Sequence, residues 1–141
     1  MRKIFISLNI VLVLYSCTGK PVYPDVPFDG SKVVIDTNGL KDEVPVFYSF
    51  RNDRKIINFF VLKIDNEVQS YFDACAKCYP KKMGYRVDRK DVVCRACDIR
   101  YSLRSLKEGI GSCYPIVLKG KLEGDKYLID KEAILEGSKY F

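Results

Sequence analysis

The chain has 141 residues, 24 Lys and Arg against 18 Asp and Glu, a formal net charge of +6 and no histidine. Without imidazole it lacks the usual zinc hydrolase site, the Ser-His and Cys-His nucleophile pairs, the C-x-x-C-H haem attachment and blue copper. It also lacks a Walker loop and a dinucleotide-binding glycine pattern, so composition points to a binding or electron-carrying protein rather than an enzyme.

The amino terminus reads as an export signal. Arg2 and Lys3 precede an apolar run, Ile4 to Tyr15, broken only by Ser7 and Asn9. The run is shorter than the ~20 residues of a comfortable spanning helix. It meets Leu14-Tyr15-Ser16-Cys17, with an aliphatic residue three before the cysteine and a small one just before it, which resembles a bacterial lipoprotein signal. On this reading residues 1–16 are removed and Cys17 carries the lipid. The protein is then anchored to the cell membrane or outer membrane, facing the periplasm or exterior. An ordinary secretion signal and an uncleaved anchor are the alternatives. Cleavage leaves 22 basic against 18 acidic side chains, a net of +4. That mild charge gives no reason to expect nucleic acid as a partner.

Residues 17–30 carry Pro21, Pro24 and Pro27 with Gly19 and Gly30, the composition of a flexible tether. The remaining ~110 residues, 31–141, suit one small domain. Strand signals dominate it. Lys32 to Asp36 is a β-branched run ending at Asn38-Gly39. Val44 to Phe50 and Lys55 to Ile64 read as strands joined by a turn over residues 51–54. The second is nearly continuous in apolar residues, as expected of a central strand buried on both faces. Glu67 to Phe72 delivers Cys75. Tyr85 to Val87 and Val92-Val93 form a hairpin bent at Asp88 to Lys90. Ile116 to Leu122 and Lys126 to Ile129 form another around Glu123-Gly124-Asp125. Asp130 caps a last helix, Lys131 to Leu135, which Gly137 stops. The expected fold is mostly β, within α+β: one small domain of antiparallel strands with a cysteine-rich insert and a short C-terminal helix.

Five cysteines carry the chemistry. Cys75, Cys78, Cys94, Cys97 and Cys113 read C-x-x-C, fifteen residues, C-x-x-C, fifteen residues, C. Two C-x-x-C pairs at this separation can bring four sulfurs to one metal ion or iron–sulfur cluster, each pair biting from a single turn. Spacing does not choose among iron, zinc and a soft ion such as Cu(I). Disulfides or a redox-active dithiol are the other reading in an oxidising compartment, although no thioredoxin-like context follows either pair. Metal knuckles usually place glycine after the second cysteine, where φ is positive. Here Tyr79 and Asp98 stand there. Aspartate tolerates that conformation and tyrosine does so poorly, so the first knuckle is expected to be shaped differently, with help from Pro80 and Gly84.

Cys113 lies in Gly109-Ile110-Gly111-Ser112-Cys113-Tyr114-Pro115, as a fifth ligand, a replacement ligand, a resolving thiol or a small buried residue. From Cys75 to Arg104 nine Lys and Arg face three Asp. They offset thiolate charge, form a solvated surface, or face anionic headgroups. Tyr71, Phe72, Tyr79, Tyr85, Tyr101 and Tyr114 crowd the region, most of them as core.

Four stretches carry a resemblance: Tyr71-Phe72-Asp73-Ala74-Cys75-Ala76-Lys77-Cys78-Tyr79, Lys82-Met83-Gly84-Tyr85-Arg86, Val93-Cys94-Arg95-Ala96-Cys97, and Ile110 to Ile116 around Cys113. With the closing Gly137 to Phe141, the chain from about Val46 to Phe141 resembles the FtrD-like membrane iron–sulfur-containing proteins of bacterial iron-uptake systems. Asp98 and Ser112 replace glycines usual in that family. The resemblance implies an FtrD-like domain in which Cys75, Cys78, Cys94, Cys97 and Cys113 bind an iron–sulfur cluster or a mononuclear metal, iron, zinc or copper. It also implies an iron permease or another membrane redox partner. The signal lacks the twin arginine of folded cargo, so a metal loaded after export, or a thiol redox centre, fits the route better than a preassembled cluster.

Overall fold

In the computed structural model, which describes residues 22–109 and 111–141, ten strands form three antiparallel sheets. The signal over 1–16 and the lipidation site Cys17 lie outside the described residues. The central sheet has the order β2 (Val46–Asn52), β3 (Lys55–Ile64), β4 (Glu67–Cys75), β8 (Pro115–Val117). A second sheet joins β1 (Lys32–Asp36), β10 (Lys126–Asp130) and β9 (Lys121–Glu123). The third, β5 (Tyr85–Asp88), β6 (Asp91–Cys94) and β7 (Arg100–Ser102), carries the second cysteine pair.

β3 shows why a strand can read as one apolar run. Side chains alternate across a strand, and both sides of β3 are covered. Ile57, Phe59 and Val61 join a core with Val33, Ile35, Tyr127, Ile129 and Ile134. Phe60, Leu62 and Ile64 join a second core with Tyr71, Tyr85, Val92, Tyr101, Leu103 and the sulfurs of Cys75, Cys94 and Cys113. The central sheet therefore separates an ordinary apolar core from one that ends in cysteines.

Three expectations change. The strand expected over 116–122 is broken: β8 pairs with β4, while β9 pairs with β10. Gly120 lies in the break because the Tyr127 ring packs onto it, where a Cβ would come within 2.5 Å of the ring. Asp130 occupies the N-cap of the helix α1 (Lys131–Glu136) but makes no side-chain cap bond; its carboxylate pairs with Lys32 at 3.6 Å instead. The tether expected over 17–30 is docked along its described residues, 22–30. Val26 is buried, its N–H donates to the Ser49 carbonyl at 3.0 Å, and Asp25 pairs with Arg51 at 2.8 Å.

The end of the chain is packed as well. α1 runs into a short 3-10 turn, Gly137–Tyr140. Phe72 presses so closely on Gly137 that a Cβ there would lie 2.2 Å from the ring. Among the described residues no helix is long and apolar enough to cross a membrane.

Candidate metal centre

β4 delivers Cys75 as its last residue, on the face that also carries Tyr71 and, between them, Asp73. The chain then turns through Cys78 into a 3-10 turn, Tyr79–Lys81. Tyr79 is spared positive φ, as its side chain demands. The left-handed conformations fall on Lys82, φ 52°, and Gly84, φ 66°. In the second knuckle Asp98 takes φ 56° and returns its N–H to the Cys94 carbonyl at 2.9 Å. Both knuckles thus follow from the residues present: aspartate accepts the glycine conformation, and tyrosine displaces it downstream.

Cys113 arrives by a different route. The β4–β8 pairing shifts register between Tyr71↔Val117 and Cys75↔Pro115, so β4 spends two residues more than β8 over the same span. The bulge sets Pro115 beside Cys75, and the Ala76 N–H donates to the Tyr114 carbonyl at 3.0 Å. Cys113, next along, is drawn in with them.

The five sulfurs converge as two overlapping triads. Those of Cys75, Cys78 and Cys94 lie within 4.8 Å of one another, and so do those of Cys78, Cys97 and Cys113. Cys78 belongs to both. All five are free thiols. Sulfurs bound to one ion at about 2.3 Å stand about 3.8 Å apart at tetrahedral corners, so little movement closes either triad on an ion. Cys75, Cys94 and Cys113 are buried, Cys78 is half-buried, and Cys97 is exposed. Cys97 is therefore the sulfur through which the site meets solvent.

The electrostatics divide the set. Burial raises the Cys78 thiol, reinforced by the sulfurs of Cys97, Cys75 and Cys94. Burial also raises Cys94 against the pull of the Ala96 and Cys97 N–H groups. Burial and the sulfurs of Cys75 and Cys97 raise Cys113. At Cys75 burial is outweighed by the N–H groups of Cys78 and Lys77 and by the Tyr85 and Cys78 side chains, so that thiol falls. Cys97 falls as well: burial is outweighed by the Ile99 N–H and the Cys94 and Cys78 side chains. Crowded thiolates repel one another, and a bound cation relieves that repulsion.

Several basic side chains of the insert are engaged by carboxylates instead. Arg86 pairs with Asp98 at 3.2 Å, and Arg100 with Asp88 at 2.8 Å and Asp91 at 3.0 Å. Arg104 pairs with Asp65 at 2.7 Å, and Lys90 with Glu43 at 2.9 Å. These exposed pairs fasten the insert within itself and to the central sheet. Arg95 donates its Nε–H to the Tyr85 carbonyl at 2.8 Å.

Three further residues stand at the site. Asp73 is buried, and its carboxylate accepts the Tyr85 N–H at 2.6 Å, locking β4 to the start of β5. Its signal was parity: it occupies the inward position between Tyr71 and Cys75. Tyr85 and Tyr101 belong to the apolar core, yet their buried hydroxyls have no hydrogen-bond partner among the described residues. The Tyr85 hydroxyl stands by Cys75, and burial and thiolate charge keep both phenols protonated. Leaving a buried hydroxyl unpaired costs about 1–3 kcal/mol. Convergent thiols and orphaned donors both fit a thiolate-ligated metal or cluster, with Cys75, Cys78, Cys94, Cys97 and Cys113 as the holding residues.

Fold and site together define a small, mostly-β protein with a thiol cluster able to hold a metal. The description "Membrane iron-sulfur containing protein FtrD-like" matches residues 40–141, and the chain belongs to this family. No match was found among curated proteins or among solved structures.

Proposed function

We propose that the protein is a lipid-anchored, extracytoplasmic metal or iron–sulfur carrier rather than an enzyme, passing electrons or metal ions to an iron permease or another membrane redox partner. The observation that carries this reading is the pair of sulfur triads sharing Cys78. Disulfides take sulfurs two at a time and do not call for three converging on one point. The family description, which names both membrane and iron–sulfur, supports the reading. So does the lipoprotein-like stretch ending at Cys17. When bound, the metal supplies redox or ion-transfer chemistry. The protein's own part is to aim backbone N–H groups at Cys75, Cys94 and Cys97, bury the inner sulfurs, and leave Cys97 open to a partner.

One observation favours a second reading. Cys97 is exposed and its thiol is lowered, as in a reactive dithiol, with Cys94 beside it. The full chain exported by a bacterial host and recovered from membranes distinguishes the two. The expected result is bound metal and five thiols shielded from alkylation until the metal is chelated. Four cysteines in disulfides with no metal would sink the carrier and favour the dithiol. Colourless stoichiometric zinc would restrict the function to ion transfer. In the same host, Cys17→Ser is expected to move the protein out of the membrane fraction.

A further inference from the structure

Tyr85 and Tyr101 enter the cysteine site from β5 and β7, the two strands that flank β6. Tyr85 begins β5 opposite Cys94, and Tyr101 sits in β7 opposite Val92. Their rings meet edge to face at 6.2 Å, and Tyr85 also meets Phe60 at 6.1 Å. Both side chains are almost wholly buried, so the rings are fixed by packing. Both hydroxyls lack a partner among the described residues. A single orphaned buried donor is uncommon. Two in one apolar cluster with Cys75, Cys94 and Cys113 indicate an acceptor that becomes available when the site is loaded. Metal-bound thiolate is such an acceptor, because the negative charge it keeps makes its lone pairs far stronger acceptors than those of a protonated thiol.

We propose that Tyr85 and Tyr101 donate O–H···S hydrogen bonds to the loaded centre and so set its affinity and redox poise. This rests on the metal-centre reading above. The donors draw charge from the ligating sulfurs and favour the more negatively charged state. A redox-active centre is therefore easier to reduce with them than without them. Their place in the apolar cluster beside Phe60 shields the bonds from water and holds the donors ready before the metal arrives.

The test uses the full chain and its Tyr85→Phe and Tyr101→Phe variants, titrated with Co(II) against a competing chelator. Each variant is expected to bind Co(II) about 10- to 100-fold more weakly, with a displaced sulfur-to-cobalt absorption band. Loaded with iron, each is expected to have a lower reduction potential than the parent. Unloaded, each is expected to unfold at the same or a higher urea concentration, because phenylalanine has no hydroxyl to strand. Parent and variants binding Co(II) equally, with one spectrum, would overturn the tyrosine role and leave the metal centre standing. Equal destabilisation of loaded and unloaded variants would assign the tyrosines to packing and also overturn it. A parent that binds neither metal overturns both.

Discussion

Gly84 satisfies two constraints at once. Its φ of +66° is a conformation that L side chains rarely adopt, and a Cβ there would lie 2.4 Å from a carboxylate oxygen of Asp73. That carboxylate is buried and already bonded to the Tyr85 N–H, so it has little freedom to swing aside. Gly84→Ala is therefore expected to destabilise by about 1–3 kcal/mol from backbone strain alone, with the clash added. The displacement of Tyr85 should also weaken metal binding. Gly39, with open space around its Cβ position, is the control, and Gly39→Ala should change stability by no more than about 0.5 kcal/mol. Urea midpoints compare the two. Equal midpoints would mean that Asp73 and the hairpin adjust freely, contrary to the close packing seen between them.

Among the elements, β3 divides the molecule's labour, because its two faces serve different cores. Phe59 packs toward the β1–β10 sheet, with Tyr48 at 5.8 Å; Phe60 packs toward the cysteines, with Tyr71 at 5.4 Å and Tyr85 at 6.1 Å. Phe59→Leu and Phe60→Leu are each expected to cost roughly 1–3 kcal/mol. Phe60→Leu alone should also loosen metal binding, as read by Co(II) titration, since it removes the ring that props Tyr85. Equal metal affinity in the two variants would refute that division. The apolar run of β3 was legible in the sequence because covering both faces erases the period of two. The bounds of β1 and β3 were legible because turn residues stand at their ends. The β8–β9 break was hidden, because it is set by Tyr127 packing on Gly120 from another sheet. β7 was hidden by its length of three residues. The two C-x-x-C pairs announced the site. The bulge that brings Cys113 beside Cys75 is a property of the β4–β8 pairing and leaves no local pattern. The tyrosine hydroxyls became informative only when their lack of partners could be seen.

Across the whole molecule, the cysteine site is where three segments meet: the end of β4, the end of β6 and the loop before β8. The β5–β6–β7 sheet has strands of four, four and three residues and, among the described residues, pairs only within itself. It is held to the central sheet by the shared apolar cluster, the Asp73–Tyr85 bond, exposed ion pairs such as Arg104–Asp65, and the sulfurs. Exposed pairs contribute little, and three strands this short make few ladder bonds of their own. A metal bridging the three segments would then supply much of the insert's local stability, whereas β3 and β4 keep their own ladders and core. Bound metal stabilises the folded form by about 2.7 kcal/mol at a hundredfold excess over its dissociation constant, and that increment should concentrate in the segments it ties together. Hydrogen–deuterium exchange on the loaded and chelated full chain reads this directly. Chelation is expected to raise exchange over residues 76–109 and 111–114 while residues 57–62 of β3 stay protected. A uniform rise along the chain would make the metal a global staple, and no change would mean that the insert stands on its packing alone. The localised loss is expected because the triads join β4 to the hairpin and the Cys113 loop, and none of their sulfurs comes from β1, β9 or β10.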